Sequence, residues 1–243
     1  MNSLLKTLFI AAISGTISFP LIAQNFNLQL RSLIHLPGQS VASVCGWTSP
    51  DGHEYALIGA SKGLVITDIT NPDVPVQIVQ IPGTNFDARE IKTYSHYAYI
   101  TNSTDGIQIV DLSGLPNANL AYHNYTGDNN IPPLNYVHTL HIDVTKGYLY
   151  TYGGNESNDA VVHNLNNDPY HPVYAGVFND LGVIHDGYVE NDTLYACHIL
   201  MGIMSVVDMS DKTTPVILGT VETPGKFPHN SWLLDDQIGR AHV

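Results

Sequence analysis

One segment, GLVITDITNPDVPVQIVQIPG (Gly63–Gly83), recurs along the chain and constrains the fold more than any other feature. Its two apolar runs, Leu64–Ile66 and Val76–Ile81, are dominated by β-branched residues, whose stiff side chains suit a pleated strand. Between them Thr70-Asn71-Pro72-Asp73 breaks the chain, because Pro fixes φ and has no amide proton. The first strand and its closing acidic residue return as Gly106–Ser113 (GIQIVDLS), as Ala160–Leu165 (AVVHNL, with Asn for Asp) and as Ser205–Ser210 (SVVDMS). The anchors Asp68, Asp111, Asn164 and Asp208 lie 43, 53 and 44 residues apart.

A repeat of roughly 40–50 residues holding four short strands is the pattern of a propeller blade. The reading is all-β: a β-propeller of about four four-stranded blades, near 41–83, 86–125, 136–179 and 183–225. The first strand of a fifth blade starts at 229, and the ring is incomplete. Tyr99, Tyr150 and Tyr195, with Leu57 in the first blade, fall at one place in successive second strands and are expected to pack between blades. Leu28–Gly38 (LQLRSLIHLPG) resembles the outer strands Val76–Gly83 and Val216–Gly225, each of which closes on Pro-Gly. It reads as an outer strand that a closed ring would pair with C-terminal strands, removing an open edge.

Both ends of the chain stand outside the repeat. Residues 1–24 have the form of a signal peptide, with Lys6 ahead of an apolar stretch from Leu8 to Ile17 and a small residue, Ala23, near a cut. No later run reaches the ~18 apolar residues of a membrane span. The last residues, 238–243 (IGRAHV), are what ATC GGA AGA GCA CAC GTC encodes, a stretch of a sequencing adapter. On that reading the natural sequence stops near Gln237 and 25–237 is a partial propeller. The chain has 9 basic and 22 acidic residues. Without Lys6 and Arg240, 7 basic residues face the 22 acidic ones, a net charge of about −15. Such a surface repels phosphate backbones, which argues against nucleic acid as a partner. Cys45 and Cys197, in different blades, read as small buried residues, with a disulfide as the alternative.

The strand GLVITDI followed by NPDVPV resembles the LVIVD repeat of bacterial and archaeal surface proteins. Further motifs occur in order: Gly46-Trp47, Pro50-Asp51-Gly52, Arg89-Glu90-Ile91-Lys92, Tyr97-Ala98-Tyr99-Ile100, His185-Asp186 and His229-Asn230-Ser231-Trp232-Leu233. Together, over roughly residues 28–236, they are similar to the choice-of-anchor B family of secreted β-propellers. The resemblance implies export and display at the cell surface; it implies no chemistry and no particular cofactor.

Chemistry is concentrated at one repeated place. Arg89, His138, His185 and His229 each follow a loop and open the first strand of a blade, with Glu90, Thr139, Asp186 and Asn230 next in sequence. First strands line a propeller's central channel, so these positions are expected to meet at one mouth, with Glu90 and Asp186 at its rim. Three readings stay open. Each His hydrogen-bonds a neighbouring first strand; or Arg89 and the histidines take an organic or anionic ligand, Arg89 bidentate; or His138, His185 and His229 hold a transition metal. Carotenoid cleavage oxygenases resemble the third in placing iron on histidines from several blades, but Arg89 at one corner departs from that pattern. His138 and His141, three apart on a strand, point to opposite faces and do not form a helical metal pair. Asp68 and Asp208 read as turn caps and not calcium ligands. Four N-x-[ST] sequons, at Asn102, Asn124, Asn155 and Asn191, read as chance matches. The loops 126–133 and 153–159 are longer than the repeat needs and read as solvated insertions, with recognition as the alternative.

No G-x-S-x-G, P-loop, H-E-x-x-H or dinucleotide fingerprint occurs. The functional expectation is an exported or surface-displayed binding module for a protein, glycan or small ligand. The alternative is an enzyme with a metal or an anionic substrate at the His- and Arg-lined mouth.

Overall fold

The computed structural model describes residues 28–128, 130, 133–154, 160–234 and 239–242. The expected signal segment 1–24 lies outside them, as does most of the 153–159 loop. Four four-stranded antiparallel meanders follow one another. Blade 1 is β1 (Val41–Thr48), β2 (Glu54–Ala60), β3 (Gly63–Asp68) and β4 (Val76–Pro82). Blade 2 is β5 (Ile91–Tyr94), β6 (Tyr97–Thr101), β7 (Ile107–Asp111) and β8 (Tyr122–Tyr125). Blade 3 is β9 (Thr139–Asp143), β10 (Tyr148–Tyr152), β11 (Ala160–Asn164) and β12 (Val173–Phe178). Blade 4 is β13 (Asp186–Glu190), β14 (Thr193–His198), β15 (Ile203–Asp208) and β16 (Val216–Glu222). A fifth sheet pairs β17 (Asn230–Leu233) with β18 (Gly239–His242), and the ring is not closed. Two 3-10 turns, Ser103–Asp105 and Leu112–Gly114, are the helical elements among the described residues, and no helix there is long and apolar enough to cross a membrane.

The repeated acidic residue does the same work in every blade. Asp68, Asp111, Asn164 and Asp208 each accept a hydrogen bond from the backbone N–H two residues on, at 2.8, 2.9, 2.8 and 2.8 Å. An Asx side chain can thereby substitute for a backbone turn, which stops the third strand and starts the reversal. A register shift in the third-to-fourth strand pairing recurs in blades 1, 3 and 4, at Ile66/Thr67, Val162/His163 and Val206/Val207. Each is a bulge that bends the outer strand.

The core lies between blades. Leu57, Leu64 and Ile66 of blade 1 pack on Ile91, Ala98 and Ile100 of blade 2. Tyr99, Ile107 and Ile109 of blade 2 meet Leu140, Ile142 and Leu149 of blade 3. Tyr150, Val162 and Phe178 of blade 3 meet Val189, Leu194 and Val207 of blade 4. The expected inter-blade place is therefore filled by Leu57, Tyr99 and Tyr150, all fully buried. Tyr195, the equivalent in blade 4, is only half-buried.

Two expectations change. Residues 28–36 form no strand, and Leu28, Leu30 and Leu33 are exposed. A β-strand needs a neighbouring strand to pair with, and no strand pairs with this stretch among the described residues. The fifth sheet has one strand more than expected, because Gly239–His242 pairs with Asn230–Leu233. Backbone pairing to an open edge demands little of sequence. Cys45 and Cys197 are both free thiols, Cys197 fully buried and pushed up to about 12 by burial.

Candidate functional site

The inner strands β5, β9, β13 and β17 pack side by side in succession. Residues just before them therefore collect at one end of the propeller. His138 precedes β9, His185 precedes β13 and His229 precedes β17, and their rings touch. The His138 and His185 centroids are 4.5 Å apart, and those of His185 and His229 are 4.2 Å apart. The convergence expected of these three is what the geometry has.

Hydrogen bonding orders the protons. His185 Nδ1 lies 3.0 Å from the His229 carbonyl oxygen, which only accepts, so Nδ1 carries a hydrogen. In the neutral ring His185 Nε2 is then a lone pair. It faces His138 Nε2 at 2.9 Å, so His138 Nε2–H must be the donor. His138 Nδ1 is left as an acceptor 3.5 Å from the Tyr136 hydroxyl. Burial first, then the His185 and His229 charges, lower the His138 pKa from its ordinary value. The mouth thus keeps His138 neutral further into acid than an ordinary histidine. A metal shared by two such nitrogens at about 2.0–2.1 Å in tetrahedral geometry needs them roughly 3.3–3.4 Å apart; at 2.9 Å a proton fits between them. No group of three His, Cys, Asp or Glu side chains able to hold a metal occurs among the described residues.

Arg89 departs from its expected role. It is 1% exposed, and its guanidinium points into the seam between blades 1 and 2. Nε donates to the Ala60 carbonyl at 2.8 Å, and Nη1 to the Thr101 carbonyl at 3.0 Å and to Asn102 Oδ1 at 2.9 Å. Nη2 donates to the Thr84 carbonyl. Four of five donors are spent on the fold, so no bidentate face remains for a ligand. The start of an inner strand fixes where the Cα sits; the extra length of Arg lets its head run back under the neighbouring blade.

Glu90, Lys92 and Asp186 form one electrostatic cluster on neighbouring blades. Asp186 Oδ1 accepts from the Gly187 N–H at 2.8 Å and lies 3.2 Å from Thr139 Oγ1, which is also 3.1 Å from the His185 carbonyl. Burial raises the Asp186 pKa to about 6; the Glu90 charge adds to this, while the Gly187 N–H, Lys92 and Thr139 act against it. Glu90 forms an ion pair with Lys92. Below these, His141 Nδ1 accepts from the Val189 N–H at 3.3 Å. Burial, then the Lys92 charge, push the His141 pKa to about 3, so that imidazole stays neutral. Its ring lies 4.6 Å from Tyr188, which lies 4.9 Å from Trp232, itself 61% exposed. Lys92, His141, Tyr188 and Trp232 were not among the expected site residues. A signal for them existed: each is two residues beyond Glu90, Thr139, Asp186 or Asn230, and alternate residues of a strand share a face.

The LVIVD repeat family matches residues 53–80, 87–126 and 202–223, in blades 1, 2 and 4. No curated protein matches the chain. A crystal structure of a candidate 6-phosphogluconolactonase from Bacteroides fragilis is similar with TM-score 0.58 and 11% identity, covering 79% of this chain and 57% of that one. The periplasmic gluconolactonase PpgL of Pseudomonas aeruginosa is similar with TM-score 0.56 and 14% identity, covering 76% and 55%. The β-propeller domain of Myceliophteria thermophila Cps50 (Swd1) is similar with TM-score 0.51 and 12% identity, covering 74% and 59%. The chain thus spans a little over half the length of these propellers, and at such identities the likeness is one of fold. The chain carries LVIVD repeats on four four-stranded blades of an unclosed β-propeller.

Proposed function

We propose that this protein is an exported or surface-displayed binding module whose ligand seats on the His138–His185–His229 mouth. One observation carries the reading: three histidines from three successive blades contact one another ring to ring at the ends of the inner strands. Export rests on the form of residues 1–24, and display on the resemblance to choice-of-anchor B proteins. The ligand is a small polar organic molecule, since the mouth presents imidazole rings, with an acceptor at His138 Nδ1, together with the Asp186 carboxyl and the Lys92 ammonium. Thermal-shift screening of the full chain against small carboxylates and lactones tests this. Ligand-induced stabilisation present in wild type and absent in His185→Ala supports it. Stabilisation unchanged by His185→Ala, or absent altogether, rejects it. Elemental analysis after chelator-free purification adds an independent check, because a stoichiometric transition metal would replace the proton-ordered reading with a metal site.

A second reading is favoured by Asp186. A carboxyl held near pKa 6 can both give and take a proton at ordinary pH, and Thr139 Oγ1 lies within hydrogen-bond distance of both Asp186 Oδ1 and the His185 carbonyl. The similarity to gluconolactonases makes lactone hydrolysis the reaction to try, with Asp186 in general acid–base work. A pH-stat assay on glucono-δ-lactone decides it: catalysis above background in wild type and lost in Asp186→Asn supports the enzyme, and equal rates with and without protein remove it.

A further inference from the structure

A second polar concavity opens at the seam between blades 1 and 2 and shares no lining residue with the histidine mouth. Its volume is about 440 Å³, and Thr84, Asn102, Asp105, Gln108, Tyr122 and Asn124 are among the residues lining it. Gln108, on β7, is 1% exposed, and its Nε2 donates to the Pro82 carbonyl at 3.0 Å. That bond fixes the amide, while its Oε1 is buried without a hydrogen-bond partner among the described residues. A buried amide oxygen without a donor is a cost that folded proteins seldom carry. Here its burial puts it behind the groove wall, so Gln108 shapes the wall and does not touch a ligand.

The neighbouring amides set up the rest of the wall. Asn102 Oδ1 accepts from Arg89 Nη1 at 2.9 Å and the Thr84 N–H at 3.1 Å, and the Thr84 hydroxyl donates to the Asn102 carbonyl at 2.7 Å. Asn102 Nδ2 donates to Asn124 Oδ1 at 3.3 Å, so Asn102 is fully engaged in building the site. No hydrogen bond among the described residues uses Asn124 Nδ2. The groove therefore offers a donor at Asn124 Nδ2, a carboxylate acceptor at Asp105 and the ring of Tyr122, which is 43% exposed.

Alternating donors and acceptors beside an aromatic ring match a sugar, whose vicinal hydroxyls both give and accept hydrogen bonds and whose C–H face packs on a ring. Asp105 disfavours phosphates and carboxylates, and Arg89, the nearby cation, has its donors committed to Ala60, Thr84, Thr101 and Asn102. The volume falls in the range of about 300–1,000 Å³ usual for small-ligand sites. We propose that this groove binds a neutral saccharide unit, with Asp105 accepting one sugar hydroxyl, Asn124 Nδ2 donating to another and Tyr122 stacking on the ring.

The test is isothermal titration of the full chain with cellohexaose, maltohexaose, mannohexaose and chitohexaose, with hexagalacturonate as an acidic probe. At least one neutral hexaose is expected to bind, and Tyr122→Ala and Asn124→Ala, both at exposed positions, each to weaken it tenfold or more. Failure of every neutral probe at millimolar concentration overturns the proposal. So does binding that Tyr122→Ala and Asn124→Ala leave intact, or binding of hexagalacturonate as tight as the best neutral probe. Binding lost in His185→Ala but kept in Tyr122→Ala would assign the saccharide to the histidine mouth and reject this groove, leaving the proposed function standing.

Discussion

Arg89 and His185 start equivalent inner strands, yet one has become part of the fold and the other part of a surface. Arg89 reaches back under blade 1 and satisfies three main-chain carbonyls and the Asn102 amide oxygen, with no carboxylate among its hydrogen-bond partners. His185 is too short to do this. It stays half-buried at the mouth, linked to His138 on one side and to the His229 carbonyl on the other. Repeat symmetry assigns a location to a residue, and side-chain length then decides whether that residue is consumed by the seam or left at the opening. The nearby glycines support the contrast: a Cβ on Gly83 would sit 2.6 Å from Arg89 Nη2 and 2.7 Å from Asn102 Oδ1, so the guanidinium's cage has no spare room.

The sharpest way to break this comparison is to remove each residue in turn. Arg89→Ala leaves several buried acceptors without donors and opens a cavity, and a loss of about 3–5 kcal/mol is expected in urea unfolding. His185→Ala, at a half-buried position, is expected to cost under about 1 kcal/mol. Equal losses would show that the two corners do not differ. Arg89→Lys is expected to behave almost like Ala, because one ammonium cannot span carbonyls on several sides.

Gly83→Ala tests the cage without touching Arg89. Its methyl group meets the guanidinium and the Asn102 amide, and about 1–3 kcal/mol of destabilisation is expected. A neutral outcome would mean that the arginine has room to move.

Asp186 sharpens the other side. Its pKa is raised in the folded state to about 6 from an ordinary 3.8, so the folded protein binds the proton more tightly than the unfolded chain. Stability from this group is therefore full below about pH 4 and is lost as pH rises to about 6. Asp186→Asn, which cannot ionise, is expected to be more stable than wild type at pH 7, by on the order of 1–2 kcal/mol after allowance for partial solvent access. The gap should close by pH 4. A variant less stable than wild type at pH 7 would contradict burial as the main cause.

The smallest effect is spectroscopic. Nitrogen-15 correlation spectra at neutral pH are expected to report His185 as the Nδ1–H tautomer and His138 as the Nε2–H tautomer, with His138 titrating below 6.5. The opposite tautomer at His185 would break the link to the His229 carbonyl and with it the ordered mouth.

Much of this fold was legible because its rules are local. β-branched runs make strands, and Asp68, Asp111, Asn164 and Asp208 stop them through a bond two residues away, so period and blade limits follow from neighbours in the chain. The convergence of His138, His185 and His229 was legible for a related reason: repeats that stack side by side bring equivalent positions together. Tertiary structure alone decided the rest. The carbonyl cage of Arg89 joins Ala60, Thr84, Thr101 and Asn102, and no spacing in the sequence marks a main-chain oxygen as needing a partner. The 2.9 Å contact of His138 with His185, the pKa of Asp186 and the gathering of Lys92, His141, Tyr188 and Trp232 depend on how far each blade is rotated against the next. That rotation is set by the packing of whole blade faces, a sum over many long-range contacts, whereas the strands themselves are set by residues a few positions apart.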